Sequence, residues 1–232
     1  MVCTYKKNGL IYENKLASYE EVNDFRLEGE GAVSFPTGRM RLENKMDPEK
    51  GQDANYVFWC NEDFPDNIEI TWEFTPIREP GLCILFFSAM GIKGEDIFDP
   101  SLALRNGPYH QYHSSDINSF HISYFRRRYV EERQFHVCNL RKSCGFHLVA
   151  QGADPLPSVQ DVKGFYSMKV VKSGAHVLFY VNDLLLFNWV DDGKSYGPIL
   201  GRGKIGFRQM APLIGEYANL KVHTIEWMDN KN

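Results

Sequence analysis

Alternating apolar and polar side chains are clearest in residues 68–74, IEITWEF. A β-strand places successive side chains on opposite faces, so this segment predicts one apolar and one polar face. The apolar face consists of Ile68, Ile70, Trp72 and Phe74, and the polar face consists of Glu69, Thr71 and Glu73. Residues 83–89, CILFFSA, are apolar on both faces, which predicts a central, fully buried strand.

Short segments of this kind recur along the chain with turn residues between them. Further strands are predicted at 119–127, 135–142, 145–152, 204–210 and 216–227, and a hairpin turns at Ser173-Gly174. We find no convincing long amphipathic helix. Many short strands at this spacing favour an all-β sandwich or barrel. Because no linker or shift in composition divides the chain, we predict one domain over residues 1–232.

Residues 90–118 break the strand pattern, because they have little periodicity and many turn formers. A loop of this length in a folded domain is usually functional. Its end overlaps a basic, histidine-rich stretch at 109–147, which holds five of the seven histidines. This stretch contains six lysines and arginines and three acidic residues, so its net charge is +3, whereas the net charge of the whole chain is −4. The local charge favours an anionic ligand, although two solvated strands would produce the same pattern.

Composition narrows the class of protein further. Apolar residues make up 43% of the chain, and the sequence pI near 6.0 argues against nucleic acid as a partner. Five widely spaced cysteines do not suggest a disulfide framework. No run approaches transmembrane length and the first residues lack an apolar leader segment, so we predict a cytoplasmic protein that does not bind membranes.

Several longer motifs carry a resemblance to a known family. The C-terminal segments KVVKSGAHVLFYVNDLLLFNW, KIGFRQM and EYANLKVHTI resemble the concanavalin A-like superfamily. VFWCNEDFPDNI, EPGLCILFFSA, YHSSDIN, SYFRRRY, NLRKSCGFHL and GKIGFRQMAP, with others in the same order, resemble the YesU-like bacterial family of unknown function over almost the whole chain. The resemblance implies a two-sheet antiparallel jelly-roll sandwich of the concanavalin A-like or galectin-like kind. It also implies an association with rhamnogalacturonan breakdown, but no established reaction.

Alternation sorts the side chains of the basic stretch into two faces. The apolar face of strands 119–127, 135–142 and 145–152 is assigned to the core. If these strands share a sheet with 68–74, the opposite face forms one trough lined by His121, Arg127, Asn139, Arg141, His147 and Glu73. A slip of one residue would reverse every assignment, and on a convex sheet the same residues would be solvated surface. Trough and solvated surface both remain open.

Two reaction classes suit these residue types. β-Elimination on a uronate needs a neutralised carboxylate, for which arginine is suited, and a base such as histidine or tyrosine. Glycoside hydrolysis needs two carboxylates about 5–5.5 Å or 6.5–9.5 Å apart. We predict His121, His113 and Glu73 as catalytic, with Glu73 paired to an acid of the long segment such as Asp116. The predicted substrate-binding residues are Gln111, Asp116, Arg127, Asn139, Arg141 and His147.

The predicted function is therefore action on an acidic plant-type glycan fragment, such as a rhamnogalacturonan or pectin oligosaccharide, by lyase or hydrolase chemistry. The alternative is a non-catalytic, lectin-like carbohydrate-binding protein on the same fold. No cofactor or metal is predicted, because no Gly-rich phosphate loop leads from a strand into a helix and no calcium-loop spacing occurs. The sequence does not indicate the oligomeric state.

The sharpest expectation concerns His121, which lies between Phe120 and Ile122 and faces away from the core. Nearby arginine disfavours the imidazolium and would keep the ring neutral, as a general base must be. His121→Ala is then expected nearly to abolish turnover while leaving the melting temperature within a few degrees. The structural alternative is a buried histidine whose truncation destabilises the protein by about 1–3 kcal/mol.

Overall fold

A computed structural model of the protein describes residues 4–228. Within this range the chain forms fifteen strands and only short helices. The strands are β1 (Thr4–Asn14), β2 (Arg26–Gly29), β3 (Gly31–Ser34), β4 (Met40–Asn44), β5 (Tyr56–Trp59), β6 (Ile68–Arg78), β7 (Leu82–Gly91), β8 (Ile117–Tyr124), β9 (Val137–Ser143), β10 (His147–Ala153), β11 (Tyr166–Ser173), β12 (His176–Val181), β13 (Leu184–Val190), β14 (Lys204–Met210) and β15 (Ile214–Met228). The helices are α1 (His110–His113), α2 (Val130–Gln134) and 3-10 turns at Glu20–Val22, Pro48–Ala54 and Val159–Asp161.

The strands form two antiparallel sheets that pack face to face. Sheet A has the order β13-β12-β11-β6-β15-β4-β3, with β1 also paired to β15. Sheet B has the order β10-β9-β8-β7-β14-β5-β2. Many neighbours in each sheet are distant in sequence, so the chain crosses repeatedly between the sheets. This arrangement confirms the predicted two-sheet jelly-roll sandwich.

The main core lies between the sheets and follows the predicted alternation. Ile68, Ile70, Trp72 and Phe74 of β6 are at most 4% exposed and pack in this core. From sheet B, Phe120, Ile122 and Tyr124 of β8 and Cys138 and Leu140 of β9 face them. The alternation in both sheets therefore sets which side chains are left for the outer faces.

Sheet B is buried on both sides near its centre. All ten residues of β7 are buried, as expected for the central strand predicted from CILFFSA. The outer face of β7 and β5 carries Phe86 and Trp59, which pack against Tyr112 and Ile97 of the segment after β7. This segment, residues 92–116, covers part of the outer face of sheet B and leaves the β8–β9 side partly open.

A buried ion pair fixes the end of β9 to the segment after β13. The Lys142 Nζ lies 2.6 Å from the Asp191 carboxylate, and both side chains are 1% exposed. Lys142 also donates to the Gly197 carbonyl, and Asp191 accepts from the backbone N–H of Gly193. The charges are thus fully compensated within the fold.

The described cysteines Cys60, Cys83, Cys138 and Cys144 are free thiols, and only Cys144 is exposed. Cys3 lies outside the described residues. Within residues 4–228, no helix is long and apolar enough to cross a membrane.

Asp191→Asn is expected to lower the free energy of unfolding by about 3–5 kcal/mol, because the Lys142 ammonium would stay buried without its counter-charge. Asp183→Asn is the matched control, since Asp183 pairs with Lys169 at the same distance but its side chain is 87% exposed. Denaturant unfolding of both variants measures the difference. Equal midpoints would show that the buried pair does not stabilise the fold.

Candidate functional site

An open cleft lies on the outer face of sheet B, beside the covered region. It has a volume of about 330 Å³, at the lower end of the range for ligand sites. We call it the sheet B cleft, and it is lined by Gln52, Leu82, Ile84, Tyr109, Ser123, Arg126, Tyr129, Glu131, Glu132, Asn139, Arg141, Phe146 and Met210. Its floor comes from the outward residues of β7, β8, β9 and β14, and its walls come from the segments around α1 and α2.

Arg141 is the cation that a strand, β9, contributes to the cleft lining. It alternates with the core residue Leu140, so its guanidinium projects from the outer face of β9. The guanidinium lies 3.6 Å from the centroid of the Phe146 ring and donates to the Phe146 carbonyl at 2.9 Å. Among residues 4–228 it forms no ion pair with a carboxylate. Arg141 is therefore a half-buried positive charge that is available to an anion.

Arg126 is already held by a protein carboxylate. Its Nη2 donates to Glu132 at 2.8 Å, and the other Glu132 oxygen accepts from the backbone N–H groups of Arg128 and Tyr129. Glu132 is 7% exposed and starts α2 through these bonds. Its oxygens are thus committed to the local fold, and Glu131 is the exposed carboxylate of the cleft wall.

A hydrogen-bonded chain runs from the cleft wall into sheet B. The Tyr109 hydroxyl lies 2.6 Å from Nδ1 of His121, and Nε2 of His121 lies 2.7 Å from the Ser143 hydroxyl. His121 is 1% exposed and its ring stacks on Phe86. Burial, helped by the nearby charges of His113, Arg141 and Arg208, holds the pKa of His121 well below its ordinary value. The ring is therefore neutral at pH 7.

Arg208 lies beneath Tyr109 and is fully buried. Its guanidinium donates to the Gly107 carbonyl and to the Gln52 side chain, and it lies 5.0 Å from the Tyr109 ring and 5.5 Å from the Tyr112 ring. Burial lowers its pKa, and no carboxylate among the described residues pairs with it. Together with Arg126 and Arg141, it makes the surroundings of Tyr109 strongly electropositive.

His113 lies at the edge of this group. Its ring is 4.8 Å from the Tyr109 ring and 4.5 Å from the Phe146 ring, and Nδ1 lies 2.7 Å from the Ser114 hydroxyl. Burial, then the nearby His110 and Arg141 charges, lowers the pKa of His113 to about 4. His113 and His121 are thus brought together on either side of Tyr109.

Arg127 does not share the cleft, so its predicted position is wrong. Phe125 has a φ of 47°, which ends the alternation of β8 and turns the Phe125 ring into the core. Arg127 is consequently 2% exposed and bonds to Asp154 and to the Leu156 carbonyl. Its contacts anchor the segment after β10.

His147 also points away from the cleft, contrary to the prediction. An irregularity in the β10–β9 register between Leu148 and Ala150 reverses the face on which the preceding residues lie. His147 pairs with Lys142 and stacks on Tyr196, whereas Phe146, assigned to the core from the sequence, lines the cleft.

Of the four remaining predicted residues, Glu73, Asp116 and Gln111 also lie outside the cleft lining. Glu73 is on the outer face of sheet A and pairs with Arg39 at 2.8 Å, so the predicted pairing of Glu73 with Asp116 is wrong. Asp116 accepts from the Ala103 N–H, and Gln111 bonds to Asn106, so both close turns in the 92–116 segment. Asn139, in contrast, lies on the cleft floor as its alternation indicates.

Sequence reasoning missed Tyr109, Arg208 and Phe146 as parts of the site. Tyr109 lies in the segment without periodicity, so no pattern indicates its direction. Arg208 has a detectable signal, because it is the residue after Phe207 in the predicted strand 204–210, so alternation directs it to the face opposite the core. The described residues contain no group of three or more His, Cys, Asp and Glu side chains placed to hold a metal ion.

Comparison with known proteins identifies the family. A domain of unknown function, DUF1961, matches residues 9–222. The chain belongs to the DUF1961 family. It is 53% identical over 219 residues to the uncharacterized protein YesU of Bacillus subtilis, covering 94% of this chain and 97% of that protein.

Solved structures support the fold of this DUF1961 member. A Bacillus subtilis protein of unknown function with a galectin-like fold has a TM-score of 0.93 at 52% identity, covering 97% of this chain and 100% of that one. The carbohydrate recognition domain of Emp47p has a TM-score of 0.60 at 13% identity, covering 94% and 97%. The first similarity extends to sequence, and the second shows the fold alone.

The burial of His121 changes the expected outcome of His121→Ala. Truncation leaves Tyr109 and Ser143 without their partner and opens a cavity beside Phe86, so we expect a destabilisation of about 1–3 kcal/mol or more. Thermal unfolding tests this, with exposed His136→Ala as the control. An unchanged melting temperature would contradict the packing of His121 described above.

Acid should destabilise the protein through the half-buried His113. The unfolded state takes up protons near the ordinary histidine pKa of about 6.5, whereas folded His113 does so only near 4. Stability contributed by neutral His113 is therefore complete above about pH 6.5 and is lost progressively as the pH falls towards 4. His113→Gln should flatten this part of the melting-temperature profile, and His136→Gln should not. Parallel profiles for both variants would contradict the assignment.

Proposed function

We propose that this protein binds an acidic oligosaccharide in the sheet B cleft and cleaves it by β-elimination. The observation that carries the proposal is Arg141, a half-buried guanidinium with no carboxylate partner in residues 4–228. A planar guanidinium binds the two oxygens of a uronate carboxylate in parallel. The Phe146 carbonyl and ring contact this guanidinium but carry no negative charge, so the positive charge is left for a ligand to compensate.

The distribution of carboxylates favours elimination over hydrolysis. A glycosidase of the common kind needs two carboxylates facing each other across the scissile bond. In the cleft, Glu132 is committed to Arg126 and to two backbone N–H groups, and Glu73 lies on the other sheet. Elimination needs instead a neutralised uronate carboxylate and a proton acceptor. Arg141 is suited to neutralise the carboxylate, and the Tyr109–His121 pair is suited to accept the proton.

The fold supports a carbohydrate ligand, because a carbohydrate recognition domain shares it. Among acidic glycans we select rhamnogalacturonan and other pectin fragments, which the family resemblance implies and which contain galacturonate. Cytoplasmic localisation remains a prediction from the sequence.

A second candidate function is binding without cleavage. The observation in its favour is that His121 is only 1% exposed and that both of its ring nitrogens are hydrogen-bonded within the protein. A histidine held in this way does not contact a ligand directly. Under this alternative, the cleft recognises the acidic sugar and releases it unchanged.

Incubation with rhamnogalacturonan and homogalacturonan oligosaccharides separates the two functions. Elimination creates a C4–C5 double bond, detected by ultraviolet absorbance and by mass spectrometry. Calorimetric binding with unchanged sugar would support the lectin-like alternative. The absence of both binding and cleavage for every acidic oligosaccharide tested would refute the proposal.

Arg141→Gln is expected to weaken binding of a galacturonate oligosaccharide by roughly 10–100-fold, the loss of one charge-assisted interaction of about 1.5–3 kcal/mol. The effect should shrink with an oligosaccharide whose carboxylates have been reduced to alcohols. Arg202→Gln is the control with the same charge change, because Arg202 is exposed and lies outside the cleft. Calorimetry in which both variants bind equally would exclude Arg141 as the carboxylate site.

A further inference from the structure

We propose that Tyr109 is the catalytic group that takes the proton from the bound uronate, and that His121 acts only through Tyr109 as a buried positioning residue fixed by Ser143. The inference rests on the proposed function, and it assigns the proton transfer to a residue for which the sequence offers no motif.

The positions of the three side chains separate their roles. Tyr109 lines the cleft, whereas His121 and Ser143 are each 1% exposed behind it. The Tyr109 oxygen lies 2.6 Å from His121 Nδ1, and the Ser143 oxygen lies 2.7 Å from His121 Nε2. Tyr109 thus lies between the cleft and the imidazole, because it lines the cleft while its hydroxyl is bonded to His121. We therefore assign the contact with a ligand to Tyr109 and not to His121, which is absent from the cleft lining.

The proposed proton transfer requires the tautomer of His121 in which Ser143 accepts a hydrogen bond from Nε2. When Nε2 carries the proton and donates it to Ser143, Nδ1 presents a lone pair to the Tyr109 O–H. This is the geometry of a nucleophile or base whose hydroxyl is activated by a histidine and oriented by a third group. Phe86 stacks on the imidazole and His121 lies mid-strand, so the ring cannot turn away from Tyr109.

The surrounding charges favour a phenolate-like transition state. The titratable and charged groups around the pair are His113 at the end of α1, which is neutral at pH 7, and the cations Arg126 after β8, Arg141 on β9 and Arg208 on β14. Burial raises the pKa of Tyr109 and the three arginines oppose that rise, so the resting hydroxyl is protonated and held in a positive field. Negative charge that develops on Tyr109 or on the substrate is stabilised by groups that are already in place.

The reaction balances within these groups. As the Tyr109 oxygen takes the C5 proton of the uronate, its own proton moves to His121 Nδ1, and the C5–H electron pair becomes an enolate facing Arg141. The negative charge of this enolate offsets the positive field that holds the pKa of His121 low in the free protein. Elimination then forms the C4–C5 double bond and breaks the bond from C4 to the leaving oxygen. Tyr109 donates its proton to that oxygen and recovers one from His121. The proton has moved from C5 to the leaving group, and both side chains are regenerated.

Tyr109→Phe tests the assignment, because it removes the hydroxyl and keeps the ring contacts. We expect the elimination rate on a galacturonate oligosaccharide to fall by roughly 10²–10⁴-fold with its Kd little changed. Tyr196→Phe, which lies outside the cleft, is the control and should retain the wild-type rate. A Tyr109→Phe protein that keeps the rate overturns the catalytic role. Wild-type protein that binds the sugar without forming unsaturated product overturns the elimination step and the role together.

His121→Asn and Ser143→Ala test the positioning role. Asparagine can still bond to Tyr109 but cannot hold a proton, so it should lower the rate and remove the acidic limb of the pH–rate profile. NMR of isotope-labelled histidine gives a readout independent of turnover: Nε2 should be protonated in the wild-type protein, and Ser143→Ala should shift the tautomer ratio. A wild-type His121 protonated at Nδ1 would overturn the arrangement even if elimination is observed.

Discussion

The arrangement of sheet B depends on the buried cation Arg208. Its strand β14 is central, and its guanidinium ties Gly107 and Gln52 to the sheet while the Tyr109 and Tyr112 rings lie over it. These contacts hold the 92–116 segment against the outer face of the sheet. Hydrophobic burial of Trp59, Phe86 and Tyr112 then follows from the same placement. The cleft is the part of this face that the segment leaves uncovered.

The positive charge that fixes the segment is also the basis for the anionic ligand that we propose. Arg208 and Arg141 form no ion pair with a carboxylate among the described residues, and Arg126 has Glu132 as its partner. Outside the cleft, in contrast, sheet A pairs its outward acids with Lys7, Arg39 and Arg41. The two arginines on the outer face of sheet B beside Tyr109 therefore keep their charges without a carboxylate partner among the described residues. A local excess of positive charge of this kind is what the proposed anionic ligand requires.

Local alternation predicted the fold and part of the cleft from the sequence. The faces of β6, β8 and β9 are set by a period of two, so the core residues and the outward direction of His121, Asn139 and Arg141 follow directly. Interruptions of that period carry no such signal. The left-handed backbone at Phe125 ends the alternation of β8, so Arg127 does not lie on the cleft face. The irregular register of β10 places Phe146 on the cleft face where alternation predicted His147. The position of Glu73 depends on which distant strands pair with β6, and alternation within one strand gives no information about that pairing.

The same limits explain why the chemistry that the sequence assigns to His121 is proposed for Tyr109 once the structure is known. Alternation gives the direction of a side chain from its own sheet but not what another segment places over it. Tyr109 covers His121 because a segment without strand periodicity returns across the sheet, and its position depends on contacts with Arg208 and Phe146. A histidine that faces outward is thereby converted into a buried, neutral hydrogen-bond partner. In the proposed mechanism His121 therefore acts on a ligand only through its hydrogen bond to the Tyr109 hydroxyl.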